Sequence, residues 1–150
     1  MVRTLEGKHP KYYEAILQLR EVTQEVVDFI EEELAKGRMI ISKVEDVRNG
    51  IDYYLSDNDL TKALGKKLQI KFGGELKLTA SLHTKKDSKD LYRVTVLFRQ
   101  AHFRKGDKVD YQGDVYDVKS VSKEILLQHD KTGKKVHIKY KEMNQIKKVA

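Results

Sequence analysis

The chain has no cysteine and no tryptophan, a single proline and nine glycines in 150 residues. Without cysteine there is no disulfide, no thiolate metal site and no cysteine nucleophile within this chain. No apolar run approaches the roughly 18 residues that cross a bilayer as a helix. The first residues, MVRTLEGKHPKYY, hold no apolar stretch of the signal-peptide kind, so export is not expected. Gly73-Gly74 lacks the following Lys-Ser/Thr of a phosphate-binding loop, and no Gly-x-Ser-x-Gly elbow occurs. His9, His83, His102, His129 and His137 are scattered, with no i,i+4 pair. That spacing does not suit zinc. The expectation is a non-enzymatic chain with no cofactor and no metal.

What is present is charge. Charged residues make up 35% of the chain and hydrophobic ones 39%, enough for a core under a heavily solvated surface. The net charge is +7, which favours polyanionic partners, nucleic acid above all. The excess is uneven. Residues 101–150 carry 12 Lys/Arg against 7 Asp/Glu, whereas residues 1–100 carry 18 against 16.

The clearest local signals lie between Val47 and Gly74. Asn49-Gly50 between apolar runs predicts a hairpin turn. Ser56-Asp57-Asn58-Asp59 predicts a helix start, with Ser56 and Asp59 approximating a capping box. Leu60, Ala63, Leu64, Leu68 and Phe72 follow at helical spacing, and Gly73-Gly74 ends the helix. Upstream, residues 1–10 read as a polar, frayed lead-in. Tyr12 to Arg20 alternates, with Tyr13, Ala15, Leu17 and Leu19 on one face. Thr23 to Lys36 carries a helical stripe of Val26, Val27, Ile30 and Leu34 that Gly37 stops, and Met39 to Val44 reads as a strand. Downstream, Glu75 to His83 and Leu91 to Arg99 alternate as strands around a basic loop, Thr84 to Asp90. The order is β-α-β-β-α-β-β, which begins as the split βαβ layout with two helices on one sheet face.

Beyond Gln100 the helical period disappears. Short runs at Lys108–Tyr111, Val115–Val118, Ile125–Gln128, Val136–Tyr140 and Ile146–Val149 alternate with turn signals. Five short strands of this kind suit a small SH3-like barrel. The expected fold class is α+β: an α+β domain over residues 1–100, then a barrel over residues 101–150. No Gly, Pro or Ser lies in Arg99 to Arg104, so the two modules are expected to pack together.

Several of these stretches carry a resemblance. HPKYYEAILQLR (His9 to Arg20), NGIDYYL, LGKKLQIKFGGELKL and LYRVTVLFR resemble the central region of the NMD-three proteins. Those are adaptors that bind the nascent large ribosomal subunit and, in eukaryotes, carry it out of the nucleus. The later FRKGDKV and DKTGK segments are similar to the family's next region, which resembles a domain of translation initiation factor five A. The resemblance spans roughly residues 9–150. It implies a module shaped like a ribosomal protein, then the small barrel, docking on the intersubunit face of the large subunit. Ribosomal RNA and ribosomal proteins of the large subunit are the implied partners, in large-subunit assembly; separately, no membrane partner and a monomeric state are expected. Family members begin with zinc-binding Cys-x-x-Cys pairs, which are absent here. The sequence therefore either starts after the zinc region or is a shortened homologue. No leucine-rich export tail is present either, so an archaeal-type, cytoplasmic version is expected.

Three basic clusters are candidate RNA contacts, because phosphates are gripped by charge without reading base identity. The first is on the predicted helix, Lys62 and Lys66, with Lys67 and Lys71. The second is the hairpin loop, Lys85, Lys86 and Lys89 beside His83. The third is in the barrel: Arg104, Lys105, Lys131, Lys134 and Lys135. The simpler reading of each is a solvated face. Tyr12, Tyr13, Tyr53, Tyr54 and Tyr92 could stack on unpaired bases, but alternation sends about half of them to the core. Asp57 and Asp59 could hold a metal for RNA processing, but helix capping accounts for them more simply. A protein-interaction scaffold is the nearest alternative, supported by the small charge excess of the first hundred residues.

Overall fold

The computed structural model describes residues 12–86 and 89–149, and between residues 83 and 91 the backbone alone. In chain order come β1 (Ala15–Arg20), α1 (Gln24–Ala35), β2 (Ile41–Val47), β3 (Gly50–Leu55), α2 (Asn58–Phe72), β4 (Gly74–Lys86) and β5 (Lys89–Gln100). They are followed by β6 (Lys108–Tyr111), β7 (Asp114–Val121), β8 (Ile125–His129), β9 (Lys135–Ile138), a 3-10 turn (Tyr140–Gln145) and β10 (Ile146–Lys148). The architecture is α+β, with two five-stranded sheets.

The first sheet has the order β2-β3-β1-β5-β4. This departs from the split βαβ layout, in which the strand after α2 would lie beside β1. Here β4 goes to the sheet edge and β5 returns between them, parallel to β1 with Leu17 opposite Val96. α2 packs across both β4 and β5. Gly65 lets the helix press onto Leu76 of β4 and Val96 of β5, where a Cβ would collide with both. Gly73 then passes the chain into β4 with no loop, at the outer flank of the helix. Both helices cover one sheet face. Leu17, Leu19, Tyr53, Leu55, Val96 and Phe98 from the strands meet Val26, Ile30, Leu34, Leu64 and Leu68 from the helices. Each such side chain contributes about 1.5–3 kcal/mol by leaving water.

Local expectations shift at three points. The hairpin turn is Arg48-Asn49, with Val47 paired to Gly50, and only Asn49 has positive φ (68°). Gly50 serves another purpose: a Cβ there would overlap the Leu19 carbonyl oxygen of the adjoining β1. The cap of α2 is Asp57, not Ser56. Asp57 Oδ1 accepts from the Leu60 amide at 2.8 Å, while Ser56 Oγ accepts from the Ile40 amide and ties α2's entry to β2. Tyr13 lies on the face opposite to Ala15, Leu17 and Leu19, because β1 begins only at Ala15 and Tyr13 packs against Tyr54. The strands β4 and β5 also pair out to Lys86 and Lys89, so the expected loop is shorter than Thr84 to Asp90.

The second sheet is an antiparallel meander in the order β10-β6-β7-β8-β9. Phe103, Val109, Val118, Ile125, Leu127, Ile138 and Ile146 form its core. Among the described residues β9 and β10 pair only with β8 and β6, so the sheet stays open and is not a closed barrel. The strand expected to reach Tyr140 stops at Ile138. Tyr140 instead opens the 3-10 turn and buries its ring, its hydroxyl donating to the Ser122 carbonyl at 2.6 Å. The two sheets meet along a packed seam. Ala101 N–H donates to Gly73 O at 3.1 Å, Ser122 Oγ–H to Ile70 O at 3.4 Å, and Gly73 lies against Val121.

Candidate nucleic-acid interface

The candidate RNA contacts lie in separate parts of this fold. On α2, Lys66 is exposed, and Lys62 is half-buried beside Ala80 and Tyr92. Their neighbours are engaged. Lys67 Nζ is 3.4 Å from Glu33 Oε1, and Lys71 lies over the rings of Phe29 and Phe72. The side chains of Lys85, Lys86, Lys89 and His83 lie outside the described residues; their backbones continue the β4–β5 hairpin. Arg104 and Lys105 are exposed on the segment entering β6, where Arg104 N–H donates to Asp107 Oδ2 at 2.8 Å. With Lys71, Gln100 and Val121 they line a concavity of about 260 Å3 at the seam, opposed by Glu25.

Lys131, Lys134 and Lys135 surround the β8–β9 turn, and all three are exposed. The turn is held by polar contacts that leave the lysines free to point outward. His129 Nδ1 accepts from the amides of Lys131 and Thr132 at 3.1 Å each, which places the neutral ring's proton on Nε2. Gln128 Nε2 donates to Gly133 O at 3.0 Å. Protruding, internally braced turns of this kind are common places for binding groups.

Ion pairing sorts the cations of the surface, and among the described residues the candidates share the unpaired class with other exposed ones such as Lys77, Lys119, Lys123, Lys139, Lys141 and Lys147. Arg20, Lys36, Lys43, Lys67, Arg99, Lys108 and Lys148 all face carboxylates. Among the described residues none of Lys62, Lys66, Arg104, Lys105, Lys131, Lys134 and Lys135 has such a partner. A cation already neutralised releases few counterions from a phosphate. The candidates therefore belong to the charge that a polyanion would feel, together with the other exposed cations that face no carboxylate among the described residues.

The uncovered face of the first sheet holds a group that charge clustering overlooked. The Tyr13 and Tyr54 rings meet edge to face, 4.9 Å apart at 87°. The Arg93 guanidinium lies 3.8 Å from the Tyr13 ring centre and its Nε–H donates to Tyr13 O, while Lys43 Nζ lies 5.3 Å from the Tyr54 ring. Alternation places Arg93 opposite to Val94 and Val96, and that was the one signal available. Tyr53, by contrast, is core, its hydroxyl donating to Glu31 at 2.9 Å, and burial pushes its phenol well above the usual range. Tyr12 donates to Glu14 Oε2 at 2.8 Å, and burial with that bond raises its phenol to about 12.

Asp57 and Asp59 sit at the start of α2. Asp57 spends Oδ1 on the helix cap, and no group of three or more His, Asp or Glu side chains suited to a metal occurs among the described residues. Among the described side chains, His102 Nε2 lies on the Ile146 carbonyl at 2.7 Å and His137 is exposed beside Glu124. Among the described residues no helix is long and apolar enough to cross a membrane.

In comparison with known families, residues 12–99 match the family model described as NMD3, second domain. That span is the first sheet with its two helices. No curated protein matches the chain.

Proposed function

Because the chain belongs to the NMD3 family, a family tied to ribosome biogenesis, we propose that it is a non-enzymatic factor of large-subunit assembly that docks on ribosomal RNA. The observation that carries the reading is the coincidence of that family match with exposed cations, Lys66, Arg104, Lys105, Lys131, Lys134 and Lys135, that face no carboxylate among the described residues. The β8–β9 turn, the Arg104–Lys105 segment and the β4–β5 hairpin would grip phosphates, with Lys62 and Lys66 as secondary contacts. Docking on the intersubunit face, in the cytoplasm and as a monomer, completes the proposal. The strand order β10-β6-β7-β8-β9, with a 3-10 turn before the last strand, supports reading the second module as an open SH3-like form.

Filter binding of large-subunit ribosomal RNA over a salt series tests it. The affinity should fall steeply as salt rises, with a slope of roughly −0.7 to −0.9 per phosphate contacted. Reversing Lys131, Lys134 and Lys135 to Glu should lower affinity and flatten the slope by about two to three units. Salt-insensitive binding, or no binding at low salt, would overturn the proposal.

A further inference from the structure

β2 and β4 are the two edges of the first sheet, neither with a strand beyond it, and the 3-10 turn Tyr140–Gln145 packs against the start of β4. The β2 edge is guarded. Its register slips between Ile41 and Lys43, and Lys43, Glu45 and Asp46 crowd the strand. Bulges and charges are the usual means by which an edge avoids pairing with other chains. β4 lacks the bulge where it matters: its register with β5 is unbroken from Gly74 to Leu82 and slips only between Leu82 and Thr84.

The same stretch is apolar on one side. Leu76, Leu78, Ala80 and Leu82 share the helix-bearing face. Leu76 lies under Gly65 of α2, but Leu78 is 46% exposed and Leu82 55%. Tyr92, paired with Leu82 across the hairpin, is 49% exposed. An apolar strip therefore runs past α2 beside an unpaired strand edge. Lys66 on α2 and Lys77 on the opposite face of β4 are exposed, with no ion pair among the described residues. At the start of α2 the strip meets a concavity of about 500 Å3, where Asp57 and Asp59 offset Lys62.

We propose that β4 takes up an extra strand from a protein partner: an extended segment in which apolar and acidic residues alternate. Its backbone pairs with the edge of β4 around Leu78 to Leu82, past the start of the strand where the 3-10 turn packs. Its apolar side chains cover Leu78, Leu82 and Tyr92, and its acidic ones pass Lys77. A second copy of this chain is a poor occupant, because it would bring another Lys77 and another +7 charge to the seam. The proposal adds a protein contact to the RNA docking above and does not depend on it.

The test is fluorescence anisotropy of the full chain with a labelled peptide of about a dozen residues, alternating valine and glutamate, against a shuffled peptide of the same composition. The alternating peptide should bind at least about tenfold more tightly than the shuffled one. Leu78→Lys/Leu82→Lys should remove that preference while ribosomal RNA binding stays level or tightens. Leu82→Lys alone, at an exposed position, serves if the double variant loses its circular dichroism spectrum. Equal binding of the two peptides overturns the proposal. So does loss of RNA binding in the variant, which would assign the face to RNA. A dimer seen in sedimentation and abolished by the same variant would assign it to a second copy.

Discussion

Substitution of Gly73 by alanine probes the seam between the two sheets more sharply than any other single change. Gly73 has φ +79° and ψ 132°, a conformation that L side chains rarely adopt. Forcing alanine there costs about 1–3 kcal/mol in the backbone. The added Cβ would also run into Val121 of β7, with the Val121 carbonyl oxygen at 2.7 Å and its side chain closer still. Overpacking of this kind costs about 1–3 kcal/mol more. Gly73→Ala should therefore lower unfolding stability by about 2–6 kcal/mol, the sum of those two costs. Gly37→Ala is the control. Gly37 has φ +73° but nothing within 4 Å of a Cβ, so it reports backbone strain without collision, about 1 kcal/mol. Urea unfolding followed by circular dichroism measures both. Val121→Ala should restore part of the Gly73→Ala loss in a double-mutant cycle, but not all of it, because the Val121 carbonyl remains. If Gly73→Ala unfolds within about 0.5 kcal/mol of Gly37→Ala, the seam is not close-packed and the reasoning fails.

Two further outcomes are expected. Asp57→Ala should cost about 1 kcal/mol by uncapping α2, with Asp57→Asn close to neutral, in the same urea assay. Equal losses in both would show that the carboxylate does something other than cap. Tyr140 has its phenol raised from 10.0 to about 12, chiefly by burial. The folded chain then keeps that proton while the unfolded chain gives it up near pH 10. The stabilisation is complete below pH 10 and is lost as pH rises towards 12. Tyr140→Phe should make the stability–pH curve shallower between pH 10 and 12, and an unchanged slope there would contradict the assignment.

The seven-element order of the first sheet was legible because each element announces itself locally. Val26, Ile30 and Leu34 recur at helical spacing, and Leu76, Leu78, Ala80 and Leu82 at spacing two. What was not legible is pairing between distant elements. Nothing near Val94 says that it will lie beside Ala15, because that register joins segments about eighty residues apart. Gly50 shows the same limit. It reads as a turn residue from its neighbour Asn49, yet its need comes from Leu19, brought alongside by the sheet. For the candidate interface, charge clustering located the cations but not their partners. Lys67 and Lys66 are adjacent in the chain, and only the position of Glu33 on α1 separates an occupied cation from a free one. Arg93 was overlooked because it stands alone in sequence and gains its neighbour, Tyr13, from the segment before β1.

The parallel pairing of β1 with β5 bears on how this protein is made. β1 leaves the ribosomal tunnel before the other strands of its sheet, and β3 can cover one of its flanks early. Its other flank stays open until β5 emerges, after both helices and the whole of β4. Contacts so distant in sequence close late and slowly. β5 leads directly into Ala101 and Phe103, so the chain that completes the first sheet also delivers the first core residues of the second. A nascent chain stalled near residue 90 would present two helices over an unfinished sheet, the form most in need of a chaperone.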